Sequence, residues 1–149
     1  MATRRRSAPQ RVREARVSLD IAPRYLLDTV ALVRWSMDAL PARSKAYQAI
    51  DRPTSPCFVS AVSIYEIVAK HASGKLPEAD RLVANMREYL EEQEFLTLGL
   101  SARHAEVAGR LGGHRDPFDR LLAAQAIADG LVMVSPDAVF DGWGVKRVW

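Results

Sequence analysis

The chain has 149 residues, one domain's worth, of which 48% are apolar and 26% charged, a balance that supplies one real core. No apolar run approaches the roughly 18 residues of a membrane span, and no apolar segment follows Met1-Ala2-Thr3-Arg4-Arg5-Arg6, so neither a spanning helix nor a secretory leader is expected. The net charge of +3 is unevenly spread: residues 1–24 hold seven Arg against Glu14 and Asp20, leaving +5, while residues 25–149 hold 14 Lys and Arg against 16 Asp and Glu, leaving −2. The single cysteine, Cys57, excludes an internal disulfide, agrees with a reducing cytoplasm, and sits in the apolar run Cys57-Phe58-Val59, where a buried core thiol is expected.

In chain order, residues 1–23 form an Arg-rich, Leu-poor extension expected to be disordered, either an electrostatic arm for nucleic acid or a solvated tail. Tyr25-Leu26-Leu27 reads as a buried strand ending in Asp28, followed by a helix over 29–38 and a second over 43–51. Pro53 and Pro56 break the chain before the strand at Cys57–Val59. Ser60 can cap a helix over 61–73 that Gly74 ends, and 79–92 reads as a charged, exposed helix. Phe95–Leu98 is a strand, and Ser101 caps a helix that Gly112-Gly113 stops. Asp116-Pro117 opens a helix over 117–129, since proline suits the first helical position, and Gly130 closes it. Leu131–Val134 has the unbroken apolar character of a strand covered on both faces, and Val145–Val148 is a last, edge strand. Strands alternating with helices predict an α/β fold with a mostly parallel sheet in one three-layer domain over 24–149.

Open parallel sheets bind ligands outside the carboxyl ends of their strands. Asp28 and Asp137 lie at or just past strand ends, Glu66 about two turns into the helix after Ser60, and Asp116 and Asp119 in the first turn of theirs. Right-handed crossovers bring such positions to one edge of the sheet. Carboxylates gathered there need a compensating cation, and all-oxygen donors suit Mg²⁺ or Mn²⁺ in phosphodiester cleavage. Singly, each acid has a structural reading: Asp28 a strand-end turn, Glu66 the end of a Ser63-Ile64-Tyr65-Glu66 capping box, Asp116 and Asp119 helix-start acids, Asp137 a turn. No phosphate loop, dinucleotide fingerprint or nucleophile elbow is present, and His71, His104 and His114 are scattered without zinc spacing.

Leu26-Leu27-Asp28-Thr29, Val59-Ser60-Ala61-Val62-Ser63-Ile64-Tyr65-Glu66-Ile67, His114-Arg115-Asp116-Pro117-Phe118-Asp119-Arg120-Leu121-Leu122-Ala123-Ala124-Gln125-Ala126 and Ser135-Pro136-Asp137, in this order, resemble the PIN-domain family, and within it the VapC-type toxins of bacterial type II toxin–antitoxin systems. Gly74-Lys75-Leu76 is similar to the same subgroup; Val30 departs from it, where many relatives carry His. The resemblance implies a Rossmann-like α/β/α sandwich, a Mg²⁺-dependent endoribonuclease (Mn²⁺ able to substitute) acting on RNA such as tRNA by metal-activated water, and a cytoplasmic homodimer silenced by a small cognate antitoxin. It places the metal and catalytic acids at Asp28, Glu66, Asp119 and Asp137, with Asp116, Thr29 and Ser135 in support. In such a mechanism Arg115 or Arg120 is a candidate phosphate-stabilising charge, with a solvated helix turn or an ion pair to neighbouring acids as the other reading. The alternative is the same fold retained as a non-catalytic RNA- or partner-binding module.

Overall fold

A computed structural model of the chain describes residues 22–113 and 116–149. The expected extension therefore lies, except for Ala22 and Pro23, outside the described residues, as do His114 and Arg115. Five strands, β1 (Tyr25–Leu27), β2 (Cys57–Ser60), β3 (Leu96–Leu98), β4 (Val132–Val134) and β5 (Arg147–Val148), form one sheet in the order β3-β2-β1-β4-β5. Every pairing is parallel, as the apolar runs predict. Leu26 stands between Phe58 and Met133, and Leu27 between Val59 and Val134.

This register, with side chains alternating across the sheet, sorts the strand residues onto two faces. Leu27, Cys57, Val59 and Val134 join a core with α1 (Thr29–Ser36), α2 (Lys45–Asp51), α4 (Asp80–Ala84) and α5 (Met86–Glu92), through buried residues such as Leu32, Trp35, Ile50, Leu82 and Leu90. Leu26 and Met133 join a second core with Leu122, Ala123 and Ala126 of α7 (Pro117–Asp129), and with Phe140 and Val145. The three central strands, β1, β2 and β4, are thus covered on both faces, so their residues can be largely apolar, while the edge strand β3 is partly exposed. The result is the expected three-layer α/β sandwich. Cys57 is fully buried, as expected of a core thiol.

The helix starts follow side-chain chemistry. Asp28, Ser44, Ser60, Ser101 and Asp116 each accept a hydrogen bond from the backbone N–H two or three residues on, and so open α1, α2, α3 (Ala61–Ala72), α6 (Ala102–Arg110) and α7. Ser60, not Ser63, is the cap of α3, which removes the capping-box reading of Glu66. Gly130 ends α7 at φ +64°, a left-handed conformation that costs glycine little.

Three expectations need correction. The helix expected over 79–92 is broken at Asn85 (φ −134°, ψ 38°), a residue whose side chain competes for backbone hydrogen bonds, and is preceded by a 3-10 turn at Pro77–Ala79. Nor is it an exposed element: Leu82, Tyr89 and Leu90 are buried in the core. With Ala46, Ala49 and Ile50 of α2 they pack against the sheet, so these apolar residues of 43–51 and 79–92 serve the chain's own interior. Finally, the loop after β4 holds a 3-10 helix, Ala138–Trp143, that periodicity does not foretell, and β5 is shorter than expected. No helix among the described residues is long and apolar enough to cross a membrane.

Candidate active site

The chain runs outward from β1 through β2 to β3, then returns to place β4 on the other side of β1. The strand order therefore reverses between β1 and β4, and at such a switch point the crevice beyond the strand ends is open to a ligand. Asp28 follows β1 and Ser135 follows β4. The Ser135 hydroxyl donates to Asp28 Oδ2 across this crevice, and the backbone N–H of Asp28 donates to the Val134 carbonyl at 3.1 Å. The other carboxylate oxygen, Oδ1, accepts from the Ala31 N–H at 2.7 Å. Asp28 is thus the cap of α1 and a buried carboxylate at the switch point together. Burial pushes its pKa up to about 6, against the Ser135 and Ala31 hydrogen bonds that favour the ionised form, and the charges of Asp119 and Asp137 push the same way as burial.

Asp119 sits in the first turn of α7, half-buried. Its pKa is also raised to about 6, by burial first and then by the negative charges of Asp116, Asp137 and Glu66, with Lys70 opposing. Glu66 projects from the second turn of α3, and the Tyr65 ring lies 5.7 Å from that of Phe118, setting this turn against the start of α7. Glu66 Oε1 accepts from the Thr29 hydroxyl, and Oε2 lies 3.1 Å from Lys70 Nζ. Thr29 Oγ1 is also 3.2 Å from Ser63 Oγ, which is left as the donor there because a hydroxyl carries a single proton.

Asp116 and Asp137 are exposed, and each caps the helix it precedes, through Phe118 N–H at 2.7 Å and Val139 N–H at 2.9 Å. Asp137 is tied back to the switch point, its N–H donating to Ser135 Oγ at 3.0 Å. Arg120 donates to the Gly113 carbonyl and so fastens the α6–α7 loop to α7. The five acids singled out from their strand-end and helix-start positions therefore do converge at one edge of the sheet, with Thr29 and Ser135 among them. Two further residues, the fully buried Ser63 and the exposed Lys70, belong to the same network. They stand three residues before and four after Glu66, spacings that share one helix face but that also describe ordinary helix-surface pairing, so the sequence held no signal specific to them.

The donor set is all oxygen: among the described residues, no imidazole or sulfur acts on Asp28 or Asp119. Burial raises both pKa values first and the charges of neighbouring acids add to it, with Lys70 opposing only at Asp119. That chemistry fits a hard divalent cation. As they stand, though, no three acids among the described residues are close enough to ligate one ion together. Both oxygens of Asp28 and both of Glu66 already have partners within the protein.

The sequence matches the family model for the PIN domain over residues 25–144, most of the chain and every element of the site. The chain belongs to the PIN-domain family. Comparison with curated protein sequences gives no match. Among solved structures, this PIN domain is similar to VapBC2 from Rickettsia felis bound to a promoter DNA fragment, at 15% identity and a TM-score of 0.63, covering 83% of this chain and 96% of the other. It is similar also to DNA-bound VapBC from Salmonella typhimurium, at 18% identity and a TM-score of 0.60, covering 84% and 96%. FitAcB from Neisseria gonorrhoeae matches at 17% identity and a TM-score of 0.56, with the same coverage. At these identities the likeness is one of fold.

Proposed function

We propose that this PIN domain is a divalent-metal-dependent endoribonuclease, with Mg²⁺ as its ion and Mn²⁺ able to replace it, and that it is the toxin of a type II toxin–antitoxin pair. The observation that carries the reading is the pair Asp28 and Asp119, both raised to about 6 at a sheet switch point by burial and by the charges of neighbouring acids. Asp28, Glu66 and Asp119 would hold the ion, with Asp137 at the exposed margin. Bound there, a divalent cation supplies the positive charge that phosphodiester hydrolysis needs in its transition state. The chain's own groups orient the carboxylates: Ser135 and the Ala31 N–H fix Asp28, and Thr29, backed by Ser63, fixes Glu66. Asp137, exposed at the margin and tied to Ser135 through its N–H, would orient the attacking water or help a second ion. The structurally similar VapBC and FitAcB proteins support a small antitoxin as the silencing partner; a cytoplasmic homodimer belongs to the same proposal.

The test is cleavage of total bacterial RNA by the purified, antitoxin-free chain, with Mg²⁺ and with EDTA, beside Asp119→Asn. Discrete fragments that require the metal, with Asp119→Asn reduced by about 10²-fold or more, are expected, in line with the loss of a group that holds transition-state charge. A folded chain that cuts nothing under any of these conditions overturns the nuclease reading in favour of a binding module on the same fold.

A further inference from the structure

Glu66 offers a ligand only one oxygen on easy terms. Its Oε1 is committed to the Thr29 hydroxyl, which Ser63 backs from a fully buried position. Its Oε2 is held by Lys70 Nζ at 3.1 Å, and the two side chains differ sharply in freedom: Glu66 is 12% exposed and Lys70 is 49% exposed. A lysine is a compact charge on a four-carbon stem with many rotamers, so of the two partners it is the one that can leave. Lys70 also lines a cleft of about 410 Å³ with Thr29, Arg34 and Glu78, and the carboxylate of Glu78 offers its ammonium an alternative counter-charge.

We propose that Lys70 is an exchangeable counter-ion: its ammonium holds Glu66 Oε2 until a divalent cation claims that oxygen, and the cation then displaces it into the cleft lined by Glu78. The inference rests on the metal-site reading above. The position of Lys70 bears on a second carboxylate. The charge of Lys70 reaches Asp119 as well, where it opposes the acids around that carboxylate. One lysine thus partly neutralises two of the three carboxylates proposed to hold the ion, and a cation must compete with it at both.

The sign follows from Coulomb's law. Removing the ammonium frees Glu66 Oε2 and leaves Asp119 in a more negative field, so the site should bind a dication more tightly. The measurement is Mn²⁺ binding to the full chain without RNA, read from the electron paramagnetic resonance of free Mn²⁺. It uses the natural sequence, Lys70→Met, Lys70→Arg and Asp119→Asn, with circular dichroism to confirm folding. Lys70→Met is expected to tighten Mn²⁺ binding by about three- to tenfold, given a half-exposed pair and a nearby dication. Lys70→Arg, which keeps the charge, should bind no more tightly than the natural sequence, and Asp119→Asn should bind much more weakly. Equal or weaker binding by folded Lys70→Met, or equal tightening by Lys70→Arg, overturns the exchange while leaving the metal site intact. Failure of the natural sequence itself to bind Mn²⁺ overturns the metal-site reading, and this inference with it. Should Lys70→Met not fold, Lys70→Gln carries the same expectation.

Discussion

Asp28 and Asp119 work against the fold that holds them. A carboxylate whose pKa rises from 3.8 unfolded to about 6 folded binds its proton more tightly in the native state. The stability from that protonated form is complete below about pH 4, and it is lost as pH rises through about 6. For the buried Asp28 the loss is about 3 kcal/mol; half-buried Asp119 adds a smaller share because water screens it. In EDTA the chain should therefore melt at a lower temperature at pH 7 than at pH 5, and Mg²⁺ at pH 7 should recover part of the difference by binding the ionised carboxylates. Thermal melts at the two pH values check this, and a melting temperature that does not fall from pH 5 to pH 7 contradicts it. RNA cleavage at a fixed, sub-saturating Mg²⁺ concentration should run the other way and fall below pH 6, as protons compete with the ion for both aspartates. At this scale the gathering of the acids at one sheet edge was legible, because positions relative to strand ends and helix starts were enough. Ser63 and Lys70 could not, because side chains at i−3 and i+4 of a glutamate read equally well as ordinary helix-surface pairing.

The helices show the same division. Elements opened by a capping side chain and closed by glycine, such as α3 and α7, were legible nearly to the residue, since the punctuation is local chemistry. The segment 79–92 was not. Its charge suggested an outer face, yet Leu82, Met86, Tyr89 and Leu90 recur at four, seven and eight residues and turn one stripe inward. The 3-10 helix after Asp137 has no period long enough to detect. In α6, His104 does work that no pattern announces. Its Nδ1 accepts from the Ser101 N–H at 3.0 Å, which leaves Nε2 as the proton-bearing nitrogen that meets Asp129 Oδ2 at 2.8 Å. One buried ring thereby caps its own helix and ties it to the end of α7. His104→Ala removes both contacts and a packed ring, and should lower stability by about 2–4 kcal/mol in a urea melt. A loss under about 0.5 kcal/mol would show that neither contact contributes.

For the whole molecule, sheet order was the least legible property. Parallel strands were implied by their apolar runs, but which strand neighbours which depends on crossovers that leave no local mark. Charge is segregated at this scale too. Residues 1–21 carry six Arg against Glu14 and Asp20, while the rest of the chain is close to neutral and presents its acids at the site. An RNA substrate is repelled by that cleft, so attraction must come from elsewhere. RNA binding by the full chain is expected to weaken more steeply with salt than binding by a chain beginning at Ala22, as fewer phosphate contacts mean fewer counterions released. Equal slopes in a fluorescence-anisotropy titration would assign the basic segment no part in it.

The hydrogen bond from Ser135 to Asp28 joins residues 107 positions apart. It requires β4 to slot in beside β1, so that the strand made first lies at the centre of a sheet completed by strands made last. On a ribosome, Asp28, Thr29 and Glu66 emerge early, but Asp119 and then Ser135 come only after most of the chain has been built. Until then β1 has an open edge, Asp28 has no hydroxyl partner, and the carboxylates are not assembled. Any activity that needs Asp28 and Asp119 together therefore waits until almost the whole chain has been made.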